Sequence, residues 1–148
     1  LNLKNNRLET KISADVTPEL SVKSVFASDF EAPNIFAAIE DLQIDYKKFT
    51  LKNERSFTID YLDERIEISG FNLHRGDSYV FIDGIVDPAG EQDLKISLKN
   101  FKGYDIGYNL LEINTLDMID YDAEIIAEIK GTFQNPKMAL NFNVANLT

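Results

Sequence analysis

Residues 41–99 read DLQIDYKKFTLKNERSFTIDYLDERIEISGFNLHRGDSYVFIDGIVDPAGEQDLKISLK, and their alternation decides the fold class. Leu42, Ile44 and Tyr46 alternate with Gln43 and Asp45, and Phe57, Ile59 and Tyr61 with Thr58 and Asp60. Ile66 and Ile68 alternate with Arg65, Glu67 and Ser69, and Leu94, Ile96 and Leu98 with Lys95, Ser97 and Lys99. A side-chain period of two specifies strands with one apolar and one wet face. The breakers between them are short: Lys52-Asn53-Glu54, Asp63-Glu64, His74–Asp77 and Asp87–Gly90. Connections this brief join antiparallel neighbours, because a parallel return needs a crossover of about a dozen residues. The stretch is predicted to be an antiparallel meander.

The alternation changes phase twice, across Lys47-Lys48 and across Ser69-Gly70. A one-residue slip turns an apolar set to the other face, so a bulge or bend is expected at each place, with Gly70 the better bulge candidate. Ser78–Val86 is apolar on both faces, relieved only by Asp83 and Gly84. Such a strand is expected to be covered on both sides.

Outward from this stretch the pattern weakens and returns. Residues 1–6 read as the tail of a strand, Arg7–Ala14 as a strand, and Leu20–Phe26 as another after the break at Thr17-Pro18. Ile35, Phe36, Ala38, Ile39 and Leu42 sit at helical spacing behind Pro33, which predicts a two-turn helix over 32–41, capped by Ser28 or Asp29 and suited to cover Ser78–Val86. A second short helix is expected over 104–112 and a loop over 115–120. Tyr121–Gly131 alternates through Ala123, Ile125, Ala127 and Ile129. A turn at Gln134-Asn135-Pro136 then leads to a last strand carrying Met138, Leu140, Phe142 and Val144. The fold class is mainly β, a single module over residues 1–148.

Composition narrows the function classes. Fifteen basic against 25 acidic residues give a formal charge of −10, which disfavours nucleic acid and anionic headgroups, both engaged through Lys and Arg. With no cysteine, disulfides, thiolate catalysis and Cys-based zinc sites are excluded. Ten Phe, six Tyr and no Trp suit a folded β domain. The chain opens on Leu1 and is read as a piece of a longer polypeptide.

Candidate chemistry is sparse. His74, the single histidine, is placed in a turn, and one histidine cannot build a multi-histidine metal site. Asp120, Asp122 and Glu124 alternate on one strand face and could gather a hard cation, or simply form its wet face. Asp60, Asp63, Glu64 and Glu67 cluster about a turn, where a glycosidase-like carboxyl pair competes with ordinary turn acidity. No phosphate-binding glycine motif is present. No enzymatic role and no cofactor are expected.

The informative feature is the apolar stripe, which must face a second sheet, a helix or an apolar ligand. Thirteen residues are its candidate wall: Leu42, Ile44, Phe57, Ile59, Ile66, Ile68, Leu94, Ile96, Leu98, Ile125, Ile129, Leu140 and Phe142. The bland alternative is a carbohydrate- or protein-binding β-sandwich in which these residues form a closed core.

Four phrases run in a familiar order between residues 34 and 147: NIFAAIEDLQIDYKKFTLKN, FTIDYLDERIEISGFNLHRGDSYVFIDGIV, DLKISLKNFKGYDIGYNL and AEIKGTFQNPKMALNFNVANL. The order resembles the carboxy-terminal region of the TamB family, including a glycine-bearing strand like Phe81–Val86, a leucine-rich strand like Asp93–Leu98, and the Gly131–Pro136 step. The resemblance implies a β-taco, a curled sheet or half-open barrel with an apolar concave groove, of the AsmA-like group of bridge-like lipid transporters. It further implies a periplasmic segment of an inner-membrane-anchored envelope protein, phospholipid acyl chains in the groove, and an outer-membrane barrel assembly partner of the TamA or BamA kind. It supplies no catalytic residues. Unpaired strand edges in such a module are expected to self-associate.

Overall fold

Short turns and alternating side chains fold the chain back and forth on itself. The computed structural model describes residues 2–4, 7–31, 34–47, 49–102 and 122–145. They form eleven strands: β1 (Asn2–Lys4), β2 (Arg7–Thr17), β3 (Leu20–Glu31), β4 (Asn34–Tyr46), β5 (Phe49–Lys52), β6 (Phe57–Leu62), β7 (Arg65–Arg75), β8 (Ser78–Val86), β9 (Glu91–Lys102), β10 (Asp122–Thr132) and β11 (Asn135–Ala145). All belong to one antiparallel sheet, in the order β1-β2-β3-β4-β5-β7-β8-β9-β10-β11, with β6 also lying between β4 and β7. The two end strands do not pair with each other, so the sheet is not a closed barrel.

β5 and β6 occupy one slot. β5 pairs with Gln43–Tyr46 of β4 and β6 with Ile35–Ile39 of the same strand, so the breaker at residues 52–56 does not reverse the chain. It answers a bulge in β4. The β3–β4 register shifts between Val25 and Phe26, leaving Glu40 as the extra residue between Ile39 and Asp41. Two asparagines repair the interrupted ladder. Asn53 Oδ1 accepts from the Leu42 amide at 2.7 Å, and Asn53 Nδ2 donates to the carbonyls of Glu40 and Arg55, each at 3.1 Å. Asn72, buried, accepts from the amides of Glu54 and Arg55 and donates to the carbonyls of Arg55 and Gly70.

That bulge corrects the helix expected over 32–41. Residues 34–41 are strand, and the described residues contain no helix. The extra residue sets Ile39 and Leu42 three apart on the same face, which imitates helical spacing. The helix expected over 104–112 and the loop over 115–120 lie outside the described residues.

The other phase breaks resolve differently from one another. Lys47, at φ 54°, starts a tight turn, and Tyr46 pairs directly with Phe49. At Gly70, φ 72°, the β7–β8 register shifts between Ile68 and Phe71, a bulge. Farther along, Phe133 and Gln134 make the final turn, and Asn135 and Pro136 already belong to β11.

Among the described residues no helix lies over β8. Its apolar side chains on the polar face cover one another: Tyr79 stacks on Phe81 with centroids 5.7 Å apart, and His74 stacks on Tyr79 at 6.3 Å. His74 is thus a half-buried strand residue opposite Tyr79, not a turn residue.

Candidate functional site

Directly opposed residues of an antiparallel pair project to the same face, so the register assigns every strand residue a side. One row starts at Leu8 and passes through Ser28, Ala37, Ile59, Ile68, Gly84, Leu94 and Ile129 to Met138. Parallel to it run Phe71, Ile82, Ile96, Ala127 and Leu140, then Leu73, Val80, Leu98, Ile125 and Phe142. Past the Glu40 bulge run Ala14, Val22, Ile44 and Leu51, and on the first row's side of both bulges run Ile35, Tyr61, Ile66 and Val86. Phe57 lies opposite Ile39 and Leu42 opposite Ser24. All thirteen candidate wall residues therefore share one face, which is apolar from β2 to β11.

The bulges keep it so. Without the extra residues at Glu40 and Gly70, Leu42 and Phe71 would turn to the opposite side. Instead Phe71 meets Phe57 edge to face, with centroids 4.9 Å apart. The sequence pattern within each strand was legible, but the shared face across strands depends on these irregularities.

Among the described residues this face has no second layer, because every element there is a strand of the one sheet. Buried apolar side chains are confined there, among the described residues, to Ile39, Phe49, Phe57, Leu73 and Ala123, with Ala27 on the opposite face, and no large side chain is below 2% exposed. A closed sandwich of this size would hide Val, Leu, Ile and Phe side chains in numbers. Candidate wall residues on inner strands, such as Ile59, Ile68, Ile96 and Ile125, are half-buried. Toward β11 the cover thins, and Met138, Leu140 and Phe142 are 72%, 71% and 60% exposed.

The opposite face is polar and paired. Lys99 meets Glu124 at 3.2 Å, and Lys102 meets Asp122. These cross-strand ion pairs account for two of the three carboxylates considered as a cation site; Asp120 lies outside the described residues. No cluster of His, Asp or Glu among the described residues is arranged to hold a metal. Asp60 and Glu67 lie opposite each other on this face, Arg65 reaches Glu67 at 3.5 Å, and Asp63 and Glu64 are the exposed turn residues of the same hairpin.

Asp45 is the best-connected carboxylate. It accepts from Thr50 Oγ1 at 2.7 Å and from Gln43 Nε2 at 2.7 and 2.9 Å, with Ser21 at 3.4 Å and Lys23 at 3.8 Å. The Thr50 and Gln43 bonds, aided by the Lys23 charge and Ser21, hold its carboxyl below the usual 3.8. A recess of about 870 Å³ opens beside it at the β2–β3 turn, lined by Asp15, Thr17, Glu19 and Ser21 among others. Two of the carboxylates there link neighbouring strand ends, Asp45 through Ser21 and Thr50 and Glu19 through Lys47 at 3.9 Å.

Comparison with protein-family models, with curated proteins and with solved structures finds no match to this chain.

Proposed function

We propose that the apolar face is the wall of a lipid conduit, and that the chain is a non-enzymatic, groove-forming segment of a TamB-like envelope protein. The observation that carries this reading is the set of apolar rows crossing the sheet from β2 to β11 without a covering layer among the described residues. A soluble monomer rarely leaves so wide a contiguous apolar surface without a use for it. Curling of the sheet would turn that surface into a groove, as the resemblance to the TamB family implies.

The mechanism is shielding. Each methylene of an acyl chain removed from water gains roughly 0.8 kcal/mol, so a chain lying along the rows moves without crossing solvent while its headgroup stays at the groove mouth. The wall is made of Ile, Leu, Val and Phe with few hydrogen-bonding groups, which suits sliding over fixed binding. In the envelope setting the segment would lie in the periplasm, pass phospholipid toward the outer membrane, and assist barrel assembly through a TamA- or BamA-like partner.

A carbohydrate-binding reading finds less support. On the polar face Tyr79 and Phe81 each use one ring face in their mutual stacking, at an interplanar angle of 15°, and His74 stacks on Tyr79.

Ile59→Asp and Ile96→Asp test the conduit. Each puts a charge in the middle of a row while the side chain it replaces is only half-buried. Both variants are expected to fold, by circular dichroism, and to lose at least 10-fold in transfer of a fluorescent phospholipid between vesicles. Normal transfer by both folded variants would refute the conduit.

A further inference from the structure

Cross-strand pairing gives nearly all the charged strand residues to the polar face. Among the described residues, Arg75 is the one charged residue that this pairing places on the apolar face. It follows Phe71 and Leu73 at the same parity along β7 and pairs with Ser78 of β8. Its charge is positive in a chain whose 25 acidic residues outnumber 15 basic ones. It also stands at the margin of the face, as the last residue of β7 before the turn to β8. Long basic side chains at the border of an apolar surface ordinarily carry the charged head out to water. Here the guanidinium lies over the Phe49 ring, 4.4 Å from its centroid. Phe49 is only 7% exposed, although no second layer covers this face among the described residues. Tyr46, directly opposite Phe49, has the Lys47 ammonium 5.4 Å from its ring centroid, and Lys47 meets Glu19 at 3.9 Å. Two cations therefore sit on two adjacent aromatic rings at one margin of the face.

We infer that Arg75 holds the phosphodiester of a phospholipid whose acyl chains lie on the apolar rows. Stacking on Phe49 engages the flat face of the guanidinium. Its five N–H donors lie in the plane, in a fork that matches two oxygens of a phosphate. Inward from Arg75 the face is free of charge along β7 and β8, with Leu73 and Val80 first and then Phe71 and Ile82. An amphiphile anchored at the margin therefore meets apolar surface as soon as its tail turns inward. Net acidity opposes docking on an anionic membrane surface, which takes many cations. It does not oppose one phosphodiester on one guanidinium, and it leaves this margin as the place on the face where such a group is attracted. The assignment rests on the conduit reading and adds to it the position of the headgroup and the class of lipid, one that carries a phosphate.

Arg75→Met keeps an unbranched apolar stem beside Phe49 and removes the charge. The probes are phosphatidylethanolamine and diacylglycerol bearing the same fluorescent acyl chain, titrated into the parent and the variant. The variant is expected to bind the phospholipid at least about 10-fold more weakly, through loss of charge-assisted hydrogen bonds, and to bind diacylglycerol as the parent does. Arg75→Lys keeps the charge without the fork. It is expected to show the same split at smaller amplitude, and it carries the test if the methionine variant does not fold by circular dichroism. Folded variants that weaken both probes alike, or neither, would show that Arg75 only covers Phe49, overturning the headgroup assignment and leaving the conduit in place. A parent that binds neither probe would overturn the conduit and the headgroup site together.

Discussion

The amide of Leu42 donates to Asn53 Oδ1 at 2.7 Å, and the same side chain returns a bond to the Glu40 carbonyl, so one asparagine spans the bulge that turns β4 back to its apolar phase. The apolar face depends on this repair, because the residues after the bulge stay aligned with β3 and β5 only if the freed backbone groups are satisfied.

Asn53→Ala is therefore expected to lower stability by about 1–3 kcal/mol, the net value of its lost bonds plus the groups left unpaired. The urea midpoint should fall at constant slope. An Asn53→Asp variant keeps the acceptor for Leu42 but loses the donors to Glu40 and Arg55, and should fall between the two.

Gly84 stands in the longest apolar row, opposite Leu94, at φ +125°. A methyl group there would lie 1.9 Å from the Asp93 carbonyl oxygen. Gly84→Ala is expected to cost about 3 kcal/mol through backbone displacement and strain. Gly70→Ala, where the methyl group meets open space and only the φ of +72° is unfavourable, should cost about 1 kcal/mol. Denaturant curves of the two variants measure the difference between a close approach and a backbone preference.

Asp45 makes stability fall in acid. Its carboxyl is held below 3.8 in the folded chain, first by the Thr50 hydroxyl and then by the Gln43 amide. A depressed folded value means that the contribution is present above the unfolded value of about 3.8 and is lost as pH falls through the lower folded one. Thermal melts between pH 5 and pH 2 should therefore show a shallower acid loss in Asp45→Asn than in the parent. Thr50→Val should raise the Asp45 value toward 3.8 in an NMR titration.

Much of the sheet was legible because alternation is local. Arg7–Ala14, Leu20–Phe26 and the strands between Asp41 and Lys99 all announce themselves by a period of two, and the thirteen residues read from it share one face of the sheet. The misread places are those where a local signal is ambiguous. Ile35–Leu42 is apolar at nearly every position, and one bulge residue gives it a helical spacing that only pairing with β3 and β6 resolves. Likewise, Lys52–Ser56 has turn composition yet continues its strand slot, because the partner that shapes it, Asn72, is distant in sequence. The double-sided apolarity of Ser78–Val86 predicted a cover on both faces; on the polar face Tyr79 stacks on Phe81 and His74 on Tyr79, and among the described residues no second layer lies over either face.

The most direct test of the conduit is mass spectrometry of an organic extract of the purified chain after expression with export to a Gram-negative periplasm. The account predicts co-purified phospholipid in the parent and its loss in Ile59→Asp and Ile96→Asp at equal yield of folded protein. An extract of the parent free of lipid, or lipid retained equally by both variants, would contradict it.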